Sequence, residues 1–213
     1  MIRVSANHLE GRVLSPGASF LFDGNTLHDS LHSGTNCGVI STGNYCQIQG
    51  NRIVSGDDEL SSILSVGYSP VVTNNHVQAQ GNLDVAGIHT VVTNNRVYGN
   101  IRLFNMDGSS LTDQKTDRYL VSNNMLSPSA GSGLGDILVP DFTEAAFGTL
   151  IGNTSKNILT LSDESFQDSS AFNHMIVLGN RVDDTGTIFG ARVGTESVGW
   201  VAPGLLEDFN VTE

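Results

Sequence analysis

The chain has 213 residues, of which 38% are hydrophobic and only 15% charged, and its formal net charge is −12. This length suits a single domain with a sizeable apolar core. The acidic balance argues against a nucleic-acid partner, because phosphate binding needs a concentrated basic surface. No apolar run approaches the roughly 20 residues that a membrane-spanning helix needs, so we predict no membrane insertion.

The first predicted unit lies at the very start of the chain. Around Asn7 the sequence reads VSANHL: an apolar residue, a variable one, a small residue, Asn, a variable position and an apolar residue. Because no capping segment precedes this unit, we expect that a longer parent chain or a partner covers this end.

Further copies of the pattern follow along the chain. They read FDGNTL, IQGNRI, VTNNHV, VTNNRV, VSNNML and VLGNRV around Asn25, Asn51, Asn75, Asn95, Asn124 and Asn180, with a weaker copy, LIGNTS, around Asn153. The gaps between these anchor asparagines are 18, 26, 24, 20, 29, 29 and 27 residues. About eight units of about 25 residues therefore repeat, which is typical of solenoids.

Each unit has the features of short strands joined by a sharp corner. Apolar β-branched residues alternate with Ser, Thr or Gln, as in half-buried strands. Gly or Asn before the anchor permits a left-handed backbone. We therefore predict that each unit is one coil, that equivalent strands stack about 4.8 Å apart as parallel sheets, and that the anchor asparagines form a hydrogen-bonded ladder.

With this repeat, the segment from Val4 to Val193 resembles the right-handed parallel β-helix superfamily, which includes pectate-lyase-like and tailspike-like proteins. The resemblance implies an all-β fold: a single-stranded right-handed parallel β-helix of about eight coils. The Asp-Pro-His-Glu motif of alginate epimerases, the Gly-His-Gly motif of polygalacturonases and the Arg-x-Pro-x-x-Arg motif of pectate lyases are absent from this chain. Architecture alone does not carry an activity.

We predict one β-helix domain over residues 1–213, with coils over 1–195 and a C-terminal cap over 196–213, and leave open that the chain is part of a longer one. Trp200, Leu205, Leu206 and Phe209 are available to cover the last rung. Cys37 and Cys46 are predicted to be part-buried thiols, with a single disulfide as the alternative.

The position after each anchor asparagine is variable and is predicted to face outward. It holds Arg52, His76 and Arg96 in three consecutive units, and Tyr98 follows on the same strand face. Basic residues in a row on an acidic protein predict binding of carboxylates, as in an acidic polysaccharide. The alternative is a row of solvated side chains whose charge nearby Asp residues balance.

Asp84 and Arg102 occupy matching places in adjacent units, and we include both among the candidate ligand-binding residues. Their expected contact is a surface ion pair worth under about 1 kcal/mol. Two acidic stretches, 57–59 and 183–184, are interpreted as solvated corners rather than cation sites. His28, Asp29 and His32 lack the zinc-protease pattern. We therefore predict no metal and no cofactor, and we identify no catalytic residue.

These observations favour a non-catalytic module that binds a polysaccharide or a partner protein in an extracellular, virion or surface assembly. One alternative is a polysaccharide lyase, hydrolase or epimerase in which Arg96 or His76 acts as a base beside Asp84. Another alternative is a structural filament or spike subunit, assembled as a homo-oligomer such as a trimer through its open rungs.

Overall fold

A computed structural model describes residues 1–17, 19–29, 38–55, 61–78, 81–104, 116, 118–127, 135–139, 148–160, 175–182, 187–188, 191–192 and 211–212. In this part of the chain the regular structure consists of 26 short strands in three sheets. No described segment is a helix long and apolar enough to cross a membrane.

Three strands form each coil. Coils 1 to 4 comprise β1 (Ile2–Ser5), β2 (His8–Glu10), β3 (Val13–Ser15); β4 (Phe20–Asp23), β5 (Thr26–Asp29), β6 (Val39–Ser41); β7 (Gln47–Gln49), β8 (Arg52–Ser55), β9 (Ser61–Val66); and β10 (Val71–Thr73), β11 (His76–Gln78), β12 (Asn82–Ala86). Coils 5 to 8 comprise β13 (Val91–Thr93), β14 (Arg96–Val97), β15 (Ile101–Leu103); β16 (Tyr119–Ser122), β17 (Met125–Leu126), β18 (Ile137–Val139); β19 (Gly148–Ile151), β20 (Thr154–Ser155), β21 (Ile158–Thr160); and β22 (Met175–Leu178), β23 (Arg181–Val182), β24 (Thr187–Ile188).

Equivalent strands of successive coils pair in parallel. Sheet 1 takes the first strand of every coil, sheet 2 the second and sheet 3 the third. In sheet 1, for example, Val72 pairs with Ile48 on one side and with Val92 on the other. This arrangement confirms the predicted parallel β-helix of about eight coils.

The last coil departs from the regular pattern. A further strand, β25 (Ala191–Arg192), pairs with β24 in antiparallel orientation, as strands separated by only a few residues of chain do, since a parallel pair needs a longer crossover. β26 (Val211–Thr212) adds a ninth strand to sheet 2 beside β23. The residues predicted to cap the last rung, among them Trp200 and Phe209, lie outside the described ranges.

The core consists of apolar side chains stacked along the solenoid axis. Each buried side chain of this size contributes about 1.5–3 kcal/mol by leaving water. Sheet 1 contributes Phe22, Ile48, Val72, Val92, Val121 and Leu150, sheet 2 contributes Leu27, Ile53, Val77, Val97, Leu126 and Val182, and sheet 3 contributes Ile63, Leu83, Ile101, Ile137, Ile158 and Ile188. Ser155 interrupts the sheet 2 column, as the weak repeat predicts, and its buried hydroxyl has no hydrogen-bond partner among the described residues.

The anchor asparagines form the predicted ladder between sheets 1 and 2. The Oδ1 atom of Asn75 accepts hydrogen bonds from the backbone N and the Nδ2 of Asn51, at 3.1 and 2.9 Å. Its own Nδ2 donates to Oδ1 of Asn95 at 3.1 Å and to the backbone oxygen of Ile48 at 2.8 Å. The same amide-to-amide bonds run through Asn7, Asn25, Asn51, Asn75, Asn95, Asn124, Asn153 and Asn180.

The residue before each ladder asparagine has the left-handed backbone that the sequence predicts. Its φ lies between 53° and 65° in every coil, at Ala6, Gly24, Gly50, Asn74, Asn94, Asn123, Gly152 and Gly179. Gly and Asn adopt this conformation at low cost, which explains their recurrence here.

Cys46 is a buried free thiol that donates a hydrogen bond to the backbone oxygen of Gly43 at 2.9 Å. This agrees with the thiol prediction for Cys46. Cys37 lies outside the described part of the chain.

Candidate functional site

The candidate site lies on the outer face of sheet 2, in its central coils. The ladder fixes where each sheet 2 strand begins, and alternation then turns the next residue outward and the following one inward. Accordingly Arg52 and Arg96 are exposed and His76 is half-buried, while Ile53 and Val97 behind them are fully buried.

The strand register brings the predicted basic residues together. His76 on β11 pairs with Arg52 on β8 and with Arg96 on β14. Because neighbouring strands are about 4.8 Å apart, the backbones of the two arginines are separated by about 10 Å. Tyr98 directly follows β14, and its ring centroid is 6.4 Å from that of His76. We call Arg52, His76, Arg96 and Tyr98 the basic stripe.

Neutral groups, rather than carboxylates, hold the two arginines of the basic stripe. Nε and Nη2 of Arg52 both donate to Oε1 of Gln78, at 3.0 and 2.7 Å. The Arg96 guanidinium carbon lies 5.8 Å from the centroid of the Tyr98 ring, with Nη2 3.5 Å from its hydroxyl. The ion pairs found among the described residues involve Arg3 and Arg102 instead. The alternative, in which nearby Asp residues balance the charge, stays a prediction, because the acidic stretch 57–59 after β8 lies outside the described ranges.

His76 has a ring nitrogen that is shielded from solvent. Its Nε2 atom is buried and finds no hydrogen-bond partner in the described part of the structure. Burial lowers the pKa of His76 below its ordinary value of 6.5, and the positive charges of Arg96 and Arg52 lower that pKa further. At neutral pH the imidazole is therefore uncharged, and the stripe carries the charge of its two arginines.

Asp84 and Arg102 lie elsewhere, on the outer face of sheet 3, where β12 pairs with β15. Oδ1 and Oδ2 of Asp84 accept from Nε and Nη2 of Arg102, both at 2.5 Å. The prediction of a weak surface pair is wrong in one respect, because the Asp84 side chain is only 6% exposed. The hydrogen bond to Asp84 raises the pKa of Arg102, against an opposing effect of burial.

The predicted ligand-binding residues thus do not form one site. The basic stripe is in sheet 2, whereas Asp84 is in sheet 3 and bound to Arg102. The structure does not bring Asp84 beside His76 or Arg96, as the enzyme alternative requires.

The remaining candidates of the sequence provide no metal centre in the described residues. His28 on β5 lies against His8 on β2, with ring centroids 4.9 Å apart. His32 and the acidic stretches 57–59 and 183–184 lie outside the described ranges, as does the side chain of Asp29. Within those ranges no group of three or more His, Cys, Asp or Glu is placed to hold a metal ion.

A second surface, which the sequence did not lead us to predict, lies at the corner between sheets 3 and 1. The Tyr68 ring lies between those of Tyr45 and His89, with centroid distances of 5.6 and 5.5 Å. Tyr45 and His89 have left-handed backbones, with φ of 58° and 60°. The signal was present, since a ring-bearing residue stands just before the sheet 1 segment in three successive units. We call Tyr45, Tyr68 and His89 the aromatic row.

A groove of about 490 Å³ continues from the aromatic row onto sheet 1. His89 and Arg118 line one side of it, and Val91, Leu120 and Ile176 contribute apolar surface. The groove and the basic stripe are on different faces of the solenoid.

Comparison with protein-family models, with curated proteins and with solved structures finds no match for this chain. The function is therefore inferred from the parallel β-helix and from the residues on its surfaces.

Proposed function

We propose that this chain is a binding module, and that its basic stripe holds the anionic groups of an acidic polysaccharide. The observation that carries this proposal is a pair of guanidinium groups in strand register, Arg52 and Arg96, that are oriented by a carboxamide and a phenol. Guanidinium groups bind carboxylates and sulfates through charge-assisted, bidentate hydrogen bonds. Among the described residues no carboxylate pairs with either guanidinium, which supports a role for this positive charge in holding a ligand.

The form of the stripe favours an extended ligand. Its residues follow one another along the solenoid axis at the spacing of the strands, as the groups of a linear polymer do. The Tyr98 ring adds a flat apolar surface next to the cations, against which the less polar face of a sugar can pack. The net charge of −12 repels a polyanion as a whole, so binding depends on this local positive surface and weakens with added salt.

The described contacts do not favour catalysis. Glycoside hydrolysis usually requires two carboxyl groups about 5–9.5 Å apart. Among the described residues, no carboxyl group pairs with Arg52 or Arg96 of the basic stripe. Among the described residues, then, no contact specifically favours the lyase, hydrolase or epimerase alternative. Kinship with pectate-lyase-like or tailspike-like proteins and a place in an extracellular, virion or surface assembly belong to this proposal, and the β-helix architecture supports them.

Binding can be tested by titrating the protein with polygalacturonate and dextran sulfate, with neutral dextran as the control ligand. The Arg52→Ala/Arg96→Ala variant is expected to lose at least about tenfold in affinity, which corresponds to about 1.4 kcal/mol. Arg3→Ala/Arg12→Ala is the matched control, because it removes the same charge away from the stripe.

The control variant is expected to stay within about threefold of the wild type. Equal losses in both variants would show that only net charge matters. The polymer length is measured before and after incubation, and shortening of the polymer would contradict a non-catalytic role.

A further inference from the structure

We propose that the basic stripe binds its anion together with a proton, and that this proton goes to the imidazole of His76. The inference rests on the proposed function and adds a regulation of the same site: affinity for the anion rises as the pH falls.

His76 lies between two cations. The imidazole lies on the strand between those of Arg52 and Arg96, in register with both. Protonation of His76 would place a third positive charge here. The charges of Arg52 and Arg96 oppose it, and so does the burial of Nε2, which has no acceptor among the described residues. In the free protein the pKa of His76 is lowered for these reasons.

Within the described residues, few groups face His76. From β8 the charged group is Arg52, and from β14 and the residue after it they are Arg96 and the Tyr98 phenol. On its own strand the neighbouring outward residue is Gln78. One strand further on each side, Thr26 and Met125 bear no charge. In the described structure the guanidinium groups are therefore the charges that oppose protonation.

An anion laid across the stripe reverses this balance. Its negative charge offsets the two guanidinium groups and supplies an acceptor for an imidazolium N–H, so the pKa of His76 is higher in the complex than in the free protein. Binding then consumes one proton from solution. By linkage, affinity must rise as the pH falls below the bound pKa, and the gain stops below the free pKa, which lies under 6.5.

The test uses dextran sulfate, because its sulfate esters stay ionised throughout and cannot cause the change themselves. Affinity is measured at about pH 8 and at about pH 5.5, at constant ionic strength, a range that spans the ordinary pKa of His. The wild type is expected to bind about three- to tenfold more tightly at the lower pH, since one proton allows at most about tenfold per pH unit.

Two variants test whether His76 causes the pH dependence of the affinity. His76→Gln keeps a polar side chain that cannot titrate, and its affinity is expected to be the same at both pH values. His8→Gln removes an exposed histidine from the same outward column of sheet 2 and is expected to keep the wild-type pH dependence. Wild-type affinity that does not change with pH, or a change that persists in His76→Gln, would overturn the inference and leave the proposed function intact.

A second measurement uses the unaltered protein. The NMR titration of the His76 imidazole is recorded without and with saturating dextran sulfate, and its midpoint is expected to move to higher pH on binding. Identical midpoints would contradict the inference. If dextran sulfate does not bind at any pH, the proposed function fails and this inference fails with it.

Discussion

Each ladder asparagine satisfies polar groups that the corner between sheets 1 and 2 would otherwise bury without partners. Asn75 is 2% exposed and makes bonds to three other residues with both ends of its amide. A carboxamide has both an acceptor and two donors, and no other side chain of this size offers the same combination. This explains why the anchor position is Asn in every coil, while the position before it varies among Ala, Gly and Asn.

At the residue scale, Asn75→Ala is expected to lower the free energy of unfolding by about 3 kcal/mol, because it leaves buried donors and acceptors unpaired. Asn74→Gly is the control, since Asn74 is exposed and its φ of 56° suits glycine; its expected effect is within about 0.5 kcal/mol. Urea unfolding midpoints with unchanged slopes measure both. A small effect of Asn75→Ala, equal to that of the control, would contradict the structural role of the ladder.

At the scale of the elements, β12 and β15 are joined by an ion pair that is partly buried. Asp84 is 6% exposed in its side chain and Arg102 is 34% exposed. Breaking such a pair by removing one partner leaves a charge in a poorly solvated place. The exposed pair of Arg3 and Asp23 on β1 and β4, at 3.4 Å, offers a comparison within the same fold.

We expect Arg102→Ala to destabilise the protein by up to about 3 kcal/mol, because the buried Asp84 then loses the guanidinium that both of its carboxylate oxygens bind. Arg3→Ala is expected to cost less than about 1 kcal/mol. Thermal and urea unfolding of the two variants check the difference. Similar small losses in both would show that Asp84 is better solvated than its burial indicates.

Coils and register could be predicted from the sequence because the ladder ties each strand to one residue type. The asparagine at a fixed place in every unit sets which residue faces outward, and so places Arg52, His76 and Arg96 in one row. The second corner could not be predicted in the same way. Its left-handed positions in the described coils hold Ser19, Tyr45, Ser69, His89 and Arg118, so no single residue type marks this corner as Asn marks the other.

The burial of Asp84 could not be predicted either. The repeat determines that a side chain on sheet 3 faces outward, but it does not determine whether other parts of the chain cover that face. Measured over the whole residue, Leu14, at the equivalent outward position of the first coil, is 62% exposed, whereas Asp84 is 4% exposed.

At the scale of the whole molecule, the solenoid separates two candidate surfaces. The basic stripe lies on sheet 2, and the aromatic row with its groove lies at the corner of sheets 3 and 1. The chain has a net charge of −12, so we expect an anionic ligand to bind where basic residues lie together, as in the basic stripe. Where the ligand binds is therefore a more direct test of the basic stripe as the binding site than whether the ligand binds at all.

The most direct measurement is an NMR map of side-chain signals during titration with polygalacturonate. We expect the largest shifts at the guanidinium groups of Arg52 and Arg96 and at the ring of Tyr98, while the ring signals of Tyr45 and Tyr68 stay unchanged. Largest shifts at the aromatic row, or at the groove beside it, would contradict the assignment of the basic stripe as the binding site.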